Sequence, residues 1–79
     1  MSYLDKLDEF TKIMRERLKE KESKYGKPDE YPIEAMRNGL KAEFLEWLDG
    51  DNEDEELIDI ANYCFLIWYL KRHSLGGKR

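Results

Sequence analysis

From Leu57 to Leu70 this chain is apolar on nearly every side, with Asp59 and Asn62 set into the run. The run is too short to span a bilayer comfortably and it carries a charge, so it predicts a buried helix and no membrane span. Three helices of one 79-residue chain cannot easily surround such a helix, and a second copy can. The expected architecture is therefore all-α: a three-helix chain forming a helical bundle completed by dimerisation, in the manner of a four-helix bundle. A chain this short buries a limited core, and its lone cysteine, Cys64, cannot form an internal disulfide. Oligomerisation, as homodimer or homotetramer, is the expected added source of stability.

Hydrophobic spacing and turn residues set the helices. Leu4, Leu7, Phe10, Met14 and Leu18 recur at three- and four-residue intervals, predicting a first helix over about Ser2 to Lys24 with Ser2 as its N-cap. Its last turns, charged all round, are expected in solvent. Gly26 suits a left-handed helix end, Pro28 cannot continue a helix, and Pro32 suits the first turn of the next. The second helix is predicted from about Pro32 to Asp49, with Ile33, Met36, Leu40, Phe44, Trp47 and Leu48 in one arc. Gly50 ends it, Asp51 or Asn52 caps the third, and the third runs from about Glu53 to His73. Residues 1–73 form a single domain on this reading, and 74–79 a flexible tail.

Charged residues are 41% of the chain and the net charge is −4, a balance that argues against a nucleic-acid surface. The N-terminus is amphipathic and acidic, without the pattern of a signal peptide. Cys64, in an apolar run, reads as a small buried hydrophobe, and reducing cytoplasm is the expected compartment.

The acids are the candidate chemistry. Glu43-x-x-Glu46 and Glu56-x-x-Asp59 lie at equal distances from the turn around Gly50, so antiparallel packing sets Glu46 level with Glu56 and Glu43 level with Asp59. Helix axes about 8–10 Å apart let such carboxylates converge on one ion. Nine of the seventeen residues from Glu43 to Asp59 are acidic, so the bare pattern also arises from a solvated acidic stretch. Asp59 is the member that demands a partner, because its neighbours are core-like and a lone buried carboxylate is costly. Arg37 and Lys41 of the second helix do not fall level with it. All candidate ligands are oxygens, which suits Mg²⁺ or Mn²⁺ and not Zn²⁺. A di-iron bundle would want Glu-x-x-His pairs, and the only histidine, His73, has Leu70 three residues before it. Asn62 and Tyr63 lie one turn past Asp59, and Gly39 lies level with Tyr63, leaving room there. Arg15, Lys19, Arg37, Lys41, Lys71 and Arg72 can reach phosphate tails, though such residues are commonly just solvated.

Lys24-Tyr-Gly-Lys, Leu40-Lys-Ala-Glu-Phe-Leu-Glu, a short Gly-Asp turn and Glu55-Glu-Leu-Ile-Asp-Ile-Ala-Asn-Tyr together resemble the MazG-like all-α nucleoside triphosphate pyrophosphohydrolases, a group related to dimeric dUTPases. The resemblance covers about Lys24 to Arg72. It implies a Mg²⁺-dependent hydrolase that converts a nucleoside triphosphate and water to the monophosphate and pyrophosphate. It implies metal binding by Glu43, Glu46, Glu56 and Asp59, with Glu46 or Glu43 as the catalytic base, and substrate contacts from Tyr63, Asn62 and Lys41. Ala42 departs from the family pattern, which has a glutamate there. The link between the two acid pairs is short, and a fourth helix of many relatives is missing. These departures keep open an alternative: a non-catalytic helical dimer that binds nucleotides or proteins.

Overall fold

A computed structural model describes residues 2–26, 32–50 and 53–73, all of them in or beside three helices. Helix α1 spans Tyr3–Tyr25, α2 Ile33–Asp49 and α3 Asp54–His73. No strand occurs among the described residues, and no helix among them is long and apolar enough to cross a membrane. Among the described residues the chain contributes three helices, so a four-helix bundle does not describe it. Pro28, the capping roles of Asp51 and Asn52, and the tail 74–79 lie outside the described residues.

Local chemistry explains the helix ends. Ser2, in extended backbone, accepts a hydrogen bond from the Asp5 backbone N–H at 3.3 Å, which satisfies one orphan donor of α1. Gly26 closes α1 at φ 92°, a conformation open chiefly to glycine, and its N–H donates to the Glu22 carbonyl. Pro32 stands one residue ahead of α2, at the N-cap. The Gly50 N–H donates to the Glu46 carbonyl at 2.9 Å and ends that helix. Asp54, Glu55 and Glu56 fill the first turn of α3, where the helix dipole favours negative charge.

Helix α3 is the shared partner of the other two; its contact with α2 is the more extensive, and α1 packs beside it. The short connection between α2 and α3 makes them an antiparallel hairpin. Gly39 and Tyr63 confirm the register: a Cβ built on Gly39 would lie 2.6 Å from the Tyr63 Cε1 and from its phenolic oxygen. The aromatic ring of Tyr63 therefore rests directly on the α2 backbone.

One face of α3 meets the other helices. Ile58, Asp59, Asn62 and Leu70 are buried there, with Met36 of α2. The remaining circumference is open: Leu57, Phe65 and Trp68 are 38%, 40% and 51% exposed. Burial of α3 on all sides is thus not achieved within one chain, because α1 and α2 cover only one side of it. Cys64 falls on the open side and is exposed, which corrects the expectation of a buried thiol. Leu4 and Leu7 of α1, and Phe44 and Leu48 of α2, are likewise exposed, so the predicted apolar arcs are only partly covered. Phe65 and Trp68 lie with ring centroids 6.1 Å apart, and the Arg72 guanidinium sits 5.1 Å from the Trp68 centroid.

Candidate functional site

Asp59 is the centre of the buried polar chemistry. It lies on the α3 face that meets α1, and its side chain is 9% exposed. The guanidinium of Arg17, 42 residues earlier, forks over the carboxylate. Arg17 Nη2 donates to Oδ2 at 2.7 Å and to Oδ1 at 3.0 Å, and Nε donates to Oδ1 at 3.2 Å. This bidentate geometry is the strong form of the carboxylate–arginine pair. The hydrogen bond with Asp59 raises the Arg17 pKa above its ordinary value against the opposing pull of burial. Sequence spacing offers only Arg37 and Lys41 of the second helix as nearby cations, and neither falls level with Asp59. The partner is on α1, and the usable signal was the Met14-to-Leu18 stretch, which carries Arg17 on the helix's apolar flank.

Asn62, one turn on, is also buried. Its Nδ2 donates to the Met14 carbonyl at 3.2 Å, tying α3 to α1 a second time. Its Oδ1 is buried and has no hydrogen-bond partner among the described residues. Tyr63 is half-buried against Gly39. Burial pushes its phenol pKa up, and the negative charges of Glu43 and Asp59 push it further.

The other candidates divide. Glu43 is half-buried on α2 and Glu56 half-buried at the start of α3. Glu46 and Lys41 are exposed. Glu46 borders a shallow depression with Ala42, Leu45, Asp49 and Gly50 on the outer side of α2. At Glu43 burial raises the pKa first, then the charges of Asp59, Glu46 and Glu56, with Lys21 of α1 pulling the other way. Asp59 leads those charges, as expected if the two lie level in the hairpin.

Glu43 should therefore leave a mark on stability. Its proton is held more tightly in the folded chain than in the unfolded one. As pH rises from about 4.5, the ordinary value, the unfolded state ionises first and is favoured. The Glu43 contribution to stability falls through that window, up to the raised folded value, and is level beyond it. In chelator, Glu43→Gln is expected to be more stable than wild type at pH 7 and equal to it below pH about 4. Urea titrations across pH check this; identical profiles would remove Glu43 from the cluster.

The four carboxylates supply only oxygen donors, the kind a hard divalent cation takes, and the like-charge crowding at Glu43 is what such a cation relieves. As the side chains stand, no group of three or more His, Cys, Asp or Glu is gathered to hold a metal ion among the described residues. Both Asp59 oxygens face Arg17 instead.

Beside Asp59 opens a cleft of about 570 Å³ between the second half of α1, the start of α2 and the middle of α3. Asp59, Asn62 and Tyr63 line it; Glu43, Glu46, Glu56 and Lys41 do not. Arg15, Lys19 and Lys21 form its α1 wall, and of these the sequence reading singled out Arg15 and Lys19. Comparison of the chain with protein-family models, curated proteins and solved structures returns no match.

Proposed function

We propose that this protein is a Mg²⁺-dependent nucleoside triphosphate pyrophosphohydrolase that works as a homodimer. What carries the reading is the adjacency of an acidic cluster centred on Glu43 and Asp59 to a cleft that contains Asn62, Tyr63 and three α1 cations. Mg²⁺ bound by Glu43, Glu46, Glu56 and Asp59 would neutralise phosphate oxygens and polarise the attacking water. Glu43, whose pKa is raised by burial and by the neighbouring carboxylates, is suited to take a proton from that water; exposed Glu46 is the other candidate. Tyr63, seated on Gly39, offers a fixed aromatic ring to the nucleoside. The exposed apolar sides of α2 and α3 suit a second copy of the chain, and the lone exposed Cys64 suits a reducing compartment such as the cytoplasm.

A second reading, a helical dimer without catalysis, is favoured by one observation: Arg17 already neutralises Asp59, so the acid needs no metal. The experiment that separates them screens the common nucleoside triphosphates for pyrophosphate release with Mg²⁺ or Mn²⁺. The hydrolase reading expects release that chelator abolishes. Glu46→Ala, at an exposed position where the fold is insensitive, should then lower the rate by roughly 10²- to 10⁴-fold if Glu46 is the base. Full activity in both Glu46→Ala and Glu43→Gln would end the assignment of the carboxylates as catalytic groups.

A further inference from the structure

Of the two helices packed on α3, α1 is the more lightly held. None of its residues is buried; Phe10, Thr11, Met14, Arg17, Leu18 and Lys21 are half-buried and make up its covered side. Two polar links reinforce this contact: the Arg17 fork on Asp59, and the Asn62 amide on the Met14 carbonyl. The fork also decides what else Asp59 can bind. Arg17 places two hydrogen bonds on Oδ1 and one on Oδ2. An ionised carboxylate offers about four acceptor positions, so three are taken. The fourth, on Oδ2, lies beside a positive charge whose Nη2 is 2.7 Å away. A second cation placed there meets like-charge repulsion in a nearly enclosed site. Arg17 itself has somewhere to go: it is 28% exposed, and the exposed acids Glu20 and Glu55 also attract it.

We propose that Arg17 is an internal competitor for the divalent cation: while α1 is docked its guanidinium holds Asp59, and loading the cation requires it to let go. The docked arrangement is then an autoinhibited state of the metal site. The two states exclude each other, because both Asp59 oxygens already serve the guanidinium. Glu43 senses the charge of Asp59, so the contested carboxylate is within electrostatic reach of the α2 acids. Asp59 is thereby a ligand controlled from α1, outside the α2–α3 hairpin that carries the four acids. Control of this kind is reciprocal. By whatever factor the docked Arg17 weakens the cation, the cation weakens the docking of α1. Cation binding should therefore loosen α1, whereas a metal that simply added ligands to a finished fold would tighten the whole chain. The inference rests on the metal part of the proposed function and supplies its regulation.

Calorimetric titration of the full chain with Mg²⁺ and Mn²⁺ tests it, in wild type, Arg17→Met, Arg17→Lys and Lys21→Met. Arg17→Met is expected to bind either cation at least about fivefold more tightly than wild type, the lower end of the usual coupling between linked sites. Arg17→Lys keeps the charge but presents no fork, and should fall between them. Lys21→Met removes an equal charge from the same helix and should raise affinity less than Arg17→Met does. Circular dichroism checks the helices of each variant. Should Arg17→Met not fold, the wild type still decides. In hydrogen exchange read by mass spectrometry, saturating Mg²⁺ should lower the protection of α1 amides around Arg17 relative to EDTA, while the α2–α3 hairpin keeps its own. Equal affinity in wild type and Arg17→Met, an equal gain in Lys21→Met, or α1 protection unchanged or raised by Mg²⁺ would each overturn the inference and leave the metal reading standing. No cation binding in wild type or in any Arg17 variant ends both. Binding that depends on Arg17, with no pyrophosphate released from any nucleoside triphosphate, ends the hydrolase reading and leaves the competition in place.

Discussion

Arg17→Met is expected to cost about 3 kcal/mol of folding stability, the typical effect of removing one partner from a buried ion pair. The methionine keeps most of the apolar stem and deletes the fork, leaving Asp59 nearly enclosed with no counter-charge. For a chain of this length, that loss lowers Tm by roughly 15 °C. Asp59→Asn should cost less, about 1 kcal/mol, because Arg17 is 28% exposed and its freed guanidinium can turn to solvent. The double variant should be more stable than Arg17→Met alone, since it removes the stranded charge. Thermal unfolding in chelator measures all three. A loss below about 0.5 kcal/mol in Arg17→Met would mean that the pair behaves as a surface salt bridge and does not anchor α1. The same variant informs the metal reading. With Arg17 gone, both Asp59 oxygens are free to a cation, so Mg²⁺ should stabilise Arg17→Met more than it stabilises wild type. Equal responses would indicate that Asp59 is not a ligand.

Gly39→Ala should destabilise the protein by up to about 2 kcal/mol, although alanine is the better helix former. Helix propensity alone favours the change by about 1 kcal/mol. Against this, the new Cβ would lie 2.6 Å from two atoms of Tyr63, so the ring must leave its seat or the hairpin must open. Forcing a methyl into packed space costs about 1–3 kcal/mol. Tyr63→Ala in the Gly39→Ala background should remove the clash, so the two substitutions together should cost less than their sum. A net stabilisation by Gly39→Ala alone would show that Tyr63 does not rest there. Because Tyr63 lines the cleft, Gly39→Ala should also weaken nucleotide binding with no change in cleft charge.

Everything governed by chain-local rules was open to reading from the residues alone. The three helices follow from spacing, Ser2 and Gly26 mark the ends of α1, and Gly50 marks the end of α2. The hairpin register was legible too, because a short turn forces positions equidistant from it to face each other; Gly39 meets Tyr63 for that reason. What the residues could not disclose was how α1 would sit. Its connection to α2 is long enough to impose no register, so only the packed structure decides which of its cations meets which acid. That packing gives Asp59 to Arg17, brings Lys21 near Glu43, and leaves Arg15 and Lys19 along the cleft. It also leaves Cys64, Phe65 and Trp68 uncovered, because two neighbours can hide only one side of an α3 that is apolar nearly all round.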